Sequence, residues 1–230
     1  MKLQTIVFIS LLAGCGGKKD DASGTSSGKP TDKTEVKPDK AAGPFADFGS
    51  TDDVLQKWQG AWVLETGSLG HYEAWEVKGN KVTTFDGKAE KTVELEIESP
   101  CSGRVVEKTA SGTSGSGVTF VFEGATLHTG MGDAGIKKGD KILACGSGKI
   151  FVWDGKACVA HENNFGRWEN APTDCKLDGT SFTAKRPGMD MKSTFIVQSD
   201  ILMSEQMKGN KVEKATDFAD AKTKLASFKK

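Results

Sequence analysis

Polar and apolar residues alternate one by one over much of the chain beyond residue 70. His71-Tyr72-Glu73-Ala74-Trp75-Glu76-Val77 follows this pattern, Gly79-Asn80 then makes a turn, and Lys81-Val82-Thr83-Thr84-Phe85 returns. Val93-Glu94-Leu95-Glu96-Ile97-Glu98 is the clearest run, with three apolar side chains on one face and three acids on the other. A period of two residues predicts antiparallel strands buried on one face. Further strands are expected near residues 104–108, 118–123, 141–145, 149–153, 156–161, 181–185, 194–198, 201–207 and 211–215. Asp86-Gly87, Asp154-Gly155 and Asp178-Gly179 are tight-turn pairs, because both residue types tolerate positive φ. Lys-Gly-Asn-Lys-Val occurs at 78–82 and again at 208–212, which predicts the same hairpin turn twice.

Two segments break the period. Residues 51–59 predict a short helix, with Ser50 or Thr51 as N-cap and Asp52-Asp53 in its positive first turn. Residues 217–228 predict an amphipathic helix that places Phe218, Ala221, Leu225 and Phe228 on one stripe. The fold class is therefore all-β. An antiparallel meander of ten to twelve strands removes its unpaired edges by closing into a barrel. A β-sandwich is the alternative.

The N-terminus has a different character. Lys2 precedes the apolar run Ile6–Leu12, and small residues lead to Cys15, as in an export signal. The run is too short to span a bilayer, which takes about 20 residues. Leu12-Ala13-Gly14-Cys15 resembles the lipobox of bacterial lipoproteins. That resemblance implies cleavage before Cys15, a diacylglycerol on its thiol, and a cell-envelope location. By the same resemblance, the absence of Asp after Cys15 implies the outer membrane. Cys15 is then the lipidation site and residues 1–14 a signal peptide. Residues 15–44 are almost free of apolar side chains and predict a tether unable to offset its chain entropy. Residues 45–230 remain for a single β-rich domain.

Gly60-Ala61-Trp62, placed after the short helix and opening the first strand, resembles the Gly-x-Trp element of lipocalins and other calycins. The resemblance implies a lipocalin-like barrel whose closed end is plugged by Trp62. A helix after the last strand also fits that family.

Four cysteines remain: Cys101, Cys145, Cys158 and Cys175. An even number in an exported domain predicts two disulfides. If 141–145, 149–153 and 156–161 form a meander, Cys145 and Cys158 lie two strand spacings apart, roughly 10 Å. That exceeds disulfide reach, about 6.8 Å between Cα atoms. Of the three possible connectivities this removes one, and Cys101–Cys145 with Cys158–Cys175 is the favoured set of those left, the second bridge pinning a polar loop from Asn163 to Lys176.

Thirty-one basic and 31 acidic residues leave no net charge, so a nucleic-acid footprint is not expected. Only His71, His128 and His161 are present, and no metal-ligand or nucleophile-elbow motif occurs. Gly115-Ser116-Gly117 and Gly146-Ser147-Gly148 read as turns, and Glu94, Glu96 and Glu98 as a solvated face. No catalytic residue, metal or cofactor is expected. The aromatic side chains are the remaining lead. Trp62, Trp75, Trp153, Phe165 and Trp168 are the candidate ligand or partner contacts, the first three inside a barrel and the last two on the polar loop. The expected function is a non-enzymatic envelope lipoprotein that binds a small apolar ligand or a partner protein. The alternatives are an assembly lipoprotein with no cavity and, more remotely, a wall- or carbohydrate-acting hydrolase.

Overall fold

The computed structural model describes residues 44–66, 70–110, 112–146, 148–164 and 167–228. The expected signal, Cys15, residues up to 43 of the tether, and Phe165 lie outside them.

A single 3-10 turn, Ala46–Phe48, precedes helix α1 (Thr51–Trp58). Ser50 caps α1, its hydroxyl accepting the Asp53 N–H at 2.9 Å, and Asp52 and Asp53 occupy the first turn. Seven antiparallel strands follow: β1 (Gly60–Glu65), β2 (Tyr72–Lys78), β3 (Lys81–Phe85), β4 (Glu90–Ser99), β5 (Ser102–Thr109), β6 (Gly112–Glu123) and β7 (Thr126–Gly130). Nine more form a second sheet: β8 (Ala134–Lys138), β9 (Lys141–Gly146), β10 (Lys149–Trp153), β11 (Cys158–Asn164), β12 (Arg167–Thr173), β13 (Cys175–Asp178), β14 (Ser181–Lys185), β15 (Lys192–Gln198) and β16 (Ile201–Met203). The chain then passes through the short helix α2 (Glu205–Lys208) to β17 (Val212–Ala215) and ends in α3 (Phe218–Phe228).

The architecture is all-β, as the alternation predicts, but it contains two barrel-like sheets rather than one barrel. In the first, β17 pairs with β1, the meander runs to β7, and β7 comes back against β1 and β17. In the second, β8 pairs with β16, and the ends of the sheet, β12 and β13, are joined by Asp174 alone. Each is a meander curled almost to closure. The second is spliced into the first between its seventh strand and its last. This topology accounts for a strand total well above the expected ten to twelve: 17 among the described residues.

The third strand of each barrel ends alike. Lys81–Ala89 and Lys149–Ala157 share the closing tetrapeptide Asp-Gly-Lys-Ala. In both, the aspartate Oδ1 accepts two backbone N–H groups, from Lys88 and Ala89 in one and from Lys156 and Ala157 in the other. The Lys-Gly-Asn-Lys-Val repeat, by contrast, does not form two hairpins. Residues 78–82 turn between β2 and β3, whereas residues 208–212 run from the end of α2 into β17. The expected strand at 201–207 also stops at Met203. Ser204 takes the N-cap position, and its hydroxyl accepts the Met207 N–H, so the chain coils there.

Two strands carry continuous apolar runs because both of their faces are covered. Trp62 and Leu64 of β1 point into the first barrel, while Ala61 and Val63 pack outward under Ala221 and Leu225 of α3. On β9, Ile142 and Ala144 face the second barrel's interior, while Leu143 and Cys145 pack with Phe45, Phe48 and Cys101. A third apolar seam joins the sheets: Val121 of β6, Ala134 of β8, Ile201 and Met203 of β16, and Met207 of α2.

Both expected disulfides are present. Cys101–Cys145 has a Cα separation of 5.8 Å and ties the β4–β5 turn of the first barrel to β9 of the second. Cys158–Cys175, at 5.7 Å, spans from β11 to β13 and staples the split side of the second barrel. The expected polar loop at 163–176 is mostly strand. β12 pairs with β11 over seven residue pairs, from Asn164–Arg167 to Cys158–Thr173. As an end strand of its sheet it satisfies its backbone groups on β11, so polar composition does not prevent strand formation there. Gly115-Ser116-Gly117 is likewise no turn; it pairs with β5 as part of β6.

Candidate functional site

The base of the first barrel is set by α1. Trp58 is fully buried and meets Trp62, Trp75, Phe120 and Phe122 at ring centroid distances of 5.3 to 6.4 Å. The Trp62 indole N–H donates to the Trp58 carbonyl at 2.8 Å, which locks the helix end onto the first strand. Gly60, two residues before, sits at φ 109°, a conformation that only glycine adopts without strain. It turns the chain from α1 into β1. Val77, Val82, Leu95 and Leu127 complete this packed layer.

Above it the interior opens. Strand register carries each inward-facing row from base to mouth: Trp62 to Leu64 on β1, Val77 to Trp75 and Glu73 on β2, Val82 to Thr84 on β3, and Leu95 to Val93 and Lys91 on β4. The result is a cavity of about 470 Å³, within the size range of ordinary ligand sites. Leu64, Trp75, Val93, Val105 and Val118 form its apolar wall. Glu65, His71, Glu73, Thr84, Lys91 and Ser116 form its polar part.

The polar groups are tied to one another. Glu73 Oε2 accepts the Trp75 indole N–H at 2.8 Å, and His71 Nε2 lies 3.3 Å from Glu73 Oε1. Lys91 is ion-paired to Glu107, diagonally across β4 and β5. Glu65, at the end of β1, is 4% exposed and accepts the Gly70 N–H.

The predicted aromatic contacts are dispersed. Trp75 lines this cavity. Trp62 lies beneath it in the packed base, with the Lys214 ammonium 5.0 Å from its ring centre. Trp153 belongs to the second barrel and stacks at 5.8 Å on Phe182. That interior is filled by Phe151, Phe182, Phe195, Ile142 and Leu202. Trp168 is half-buried rather than displayed on a loop. Phe45 meets its ring edge-on at 5.2 Å and that of His161 at 5.3 Å. Trp168 also borders a smaller cavity of about 220 Å³ between the sheets, with Glu98, Lys149 and Asn163.

Glu98 is less solvated than its place on an acidic strand face predicts. It is half-buried, accepts from Asn163 Nδ2 at 3.0 Å, and burial raises its pKa above the usual carboxylate value. Glu94 instead pairs with Lys108 at the surface, at 2.7 Å. His161 is buried, and burial lowers its pKa; among the described residues its Nδ1 has no hydrogen-bond partner. Among the described residues no group of three or more His, Cys, Asp or Glu side chains is placed to hold a metal ion. No helix among them is long and apolar enough to cross a membrane.

Sequence reasoning passed over Glu73, Lys91 and Thr84. A signal for the first existed. Glu73 shares a strand face with Trp75 and Val77, so the alternation itself places a carboxylate on the buried side. No family model matches the chain, and no curated protein or solved structure matches it either.

Proposed function

We propose that this chain is a lipid-anchored, non-enzymatic protein of the bacterial cell envelope, held at the outer membrane through Cys15, whose first barrel receives a small apolar or amphipathic ligand at its mouth. The observation that carries this reading is the 470 Å³ cavity, apolar along Leu64, Trp75, Val93, Val105 and Val118 and polar toward the opening. A packed barrel serving only as scaffold needs no such space, and the second barrel has its interior filled. The lipocalin-like reading is supported by a nearly closed eight-stranded sheet, in which β17 pairs with the first strand of the β1–β7 meander, by Trp62 at its base, and by a helix after the last strand. The lipobox supports the anchor. Two acyl signals hold a protein on a bilayer where one chain binds only marginally.

Titration of the purified chain with an apolar fluorophore tests the ligand reading. Saturable binding that is weakened by filling the cavity through Val105→Trp is expected. Absence of saturable binding refutes it and leaves an assembly role as the better reading. For the anchor, Cys15→Ala is expected to abolish acyl labelling and to release the protein from the membrane fraction. Unchanged fractionation refutes the lipidation site.

A further inference from the structure

The cavity of the first barrel has a defined electrostatic sense. An anionic head group, such as a fatty carboxylate, needs a cation to receive it. The lining supplies one cation, Lys91, which is paired with Glu107, against two carboxylates, Glu65 and Glu73. Glu73 projects inward from β2, on the same face as Trp75, and its side chain is 21% exposed. Two of its acceptor positions are taken, by the Trp75 indole N–H and by His71. A carboxylate offers about four, so Glu73 retains the capacity to accept from a further donor. Glu65, which accepts the Gly70 N–H, adds a second carboxylate to the lining. Beside Glu73, the Trp75 ring belongs to the apolar wall. A carboxylate next to an aromatic surface is the pairing that receives an ammonium group, through charge-assisted hydrogen bonds and attraction to the π face.

We infer that the ligand of the first barrel is a single-chain amphiphile with a cationic, ammonium-type head, its tail against Leu64, Val93, Val105 and Val118 and its head at Glu73. This assignment rests on the ligand-binding reading above and deepens it. Glu73 is the specificity-determining residue, and the Trp75 N–H fixes its rotamer.

Isothermal titration calorimetry of the full chain tests the inference, with Cys15→Ser to remove the anchor thiol. Decylamine, decanol and decanoate serve as probes below their micelle concentrations, at about pH 7.5. Decylamine is expected to bind about tenfold more tightly than decanol, the gain of one charge-assisted bond, and decanoate more weakly than either. Glu73→Gln is expected to remove the preference for amine over alcohol, and an unchanged far-UV circular dichroism spectrum shows that the variant is folded. Should that variant fail to fold, Lys91→Gln provides the second arm. It frees Glu107 and is expected to raise the preference for amine further. Decanoate binding as well as decylamine, or a preference that survives Glu73→Gln, overturns the head-group assignment and leaves the cavity reading standing. If none of the three probes binds, the cavity reading itself fails.

Discussion

Cys101–Cys145 is a disulfide between the two barrels, and removing it is the most quantitative test of this architecture. Both cysteines are buried, at 0% and 1% exposure, so Cys101→Ala with Cys145→Ala avoids stranding a hydroxyl in the seam. The bond closes a loop of 44 residues. Loop-closure entropy then gives about 4 kcal/mol of stabilisation at 25 °C, released when the unfolded chain regains that freedom. The corresponding double variant at Cys158 and Cys175 opens a loop of 17 residues, which gives about 3 kcal/mol. In urea, followed by far-UV circular dichroism, a loss of about 4 kcal/mol moves the midpoint down by about 2 M for a typical slope. The ordering is a second criterion, because loop-closure entropy rises with the number of residues closed. An unchanged midpoint in the Cys101/Cys145 variant, or a larger loss in the Cys158/Cys175 variant, refutes the assignment of these bridges as the main constraints on the unfolded chain.

Three further outcomes are expected. Ser50→Ala removes the α1 cap seen at 2.9 Å and is expected to cost about 1 kcal/mol in urea denaturation. Leu225→Ala empties the site where α3 packs on β1, with Leu225 at 1% exposure, and is expected to cost about 2–5 kcal/mol, read as a lowered melting temperature. His161 has its pKa held below the ordinary imidazole value of 6.5 by burial. Its neutral form is therefore favoured in the folded state, so its contribution is fully present above that value and is lost as pH falls through the lowered folded pKa. Urea midpoints measured from neutral to acidic pH are expected to fall, and His161→Gln to flatten the slope; an identical slope in the variant refutes the assignment to this residue.

The parts of the fold legible in the chain are those decided locally. β3, β10 and β14 lie where alternation and Asp-Gly turns place them, because turn conformation and side-chain period depend on a few consecutive residues. Both terminal helices lie close to their predicted spans for the same reason. β7, β8 and β13 are short, β12 is rich in polar residues, and they become strands because a neighbouring strand offers its hydrogen-bonding edge. That neighbour is not visible from within the segment. The site shows the same division. Trp75 stood out by composition, whereas Lys91 and Glu107 are significant only because β4 and β5 place them within ion-pair reach.

The sequence by itself determined the β class, the Asp-Gly turns at 86–87, 154–155 and 178–179, and an even set of four body cysteines that form two bridges. Each depends on residue type or local period. Tertiary structure alone decided that the strands divide between two barrels, one spliced into the other. Strand pairing is a contest among distant edges, and the pairing of β17 with β1 is made across about 150 residues of intervening chain. It also decided that one barrel is filled by phenylalanines while the other keeps an open mouth, since packing depends on which interior rows face each other across the lumen.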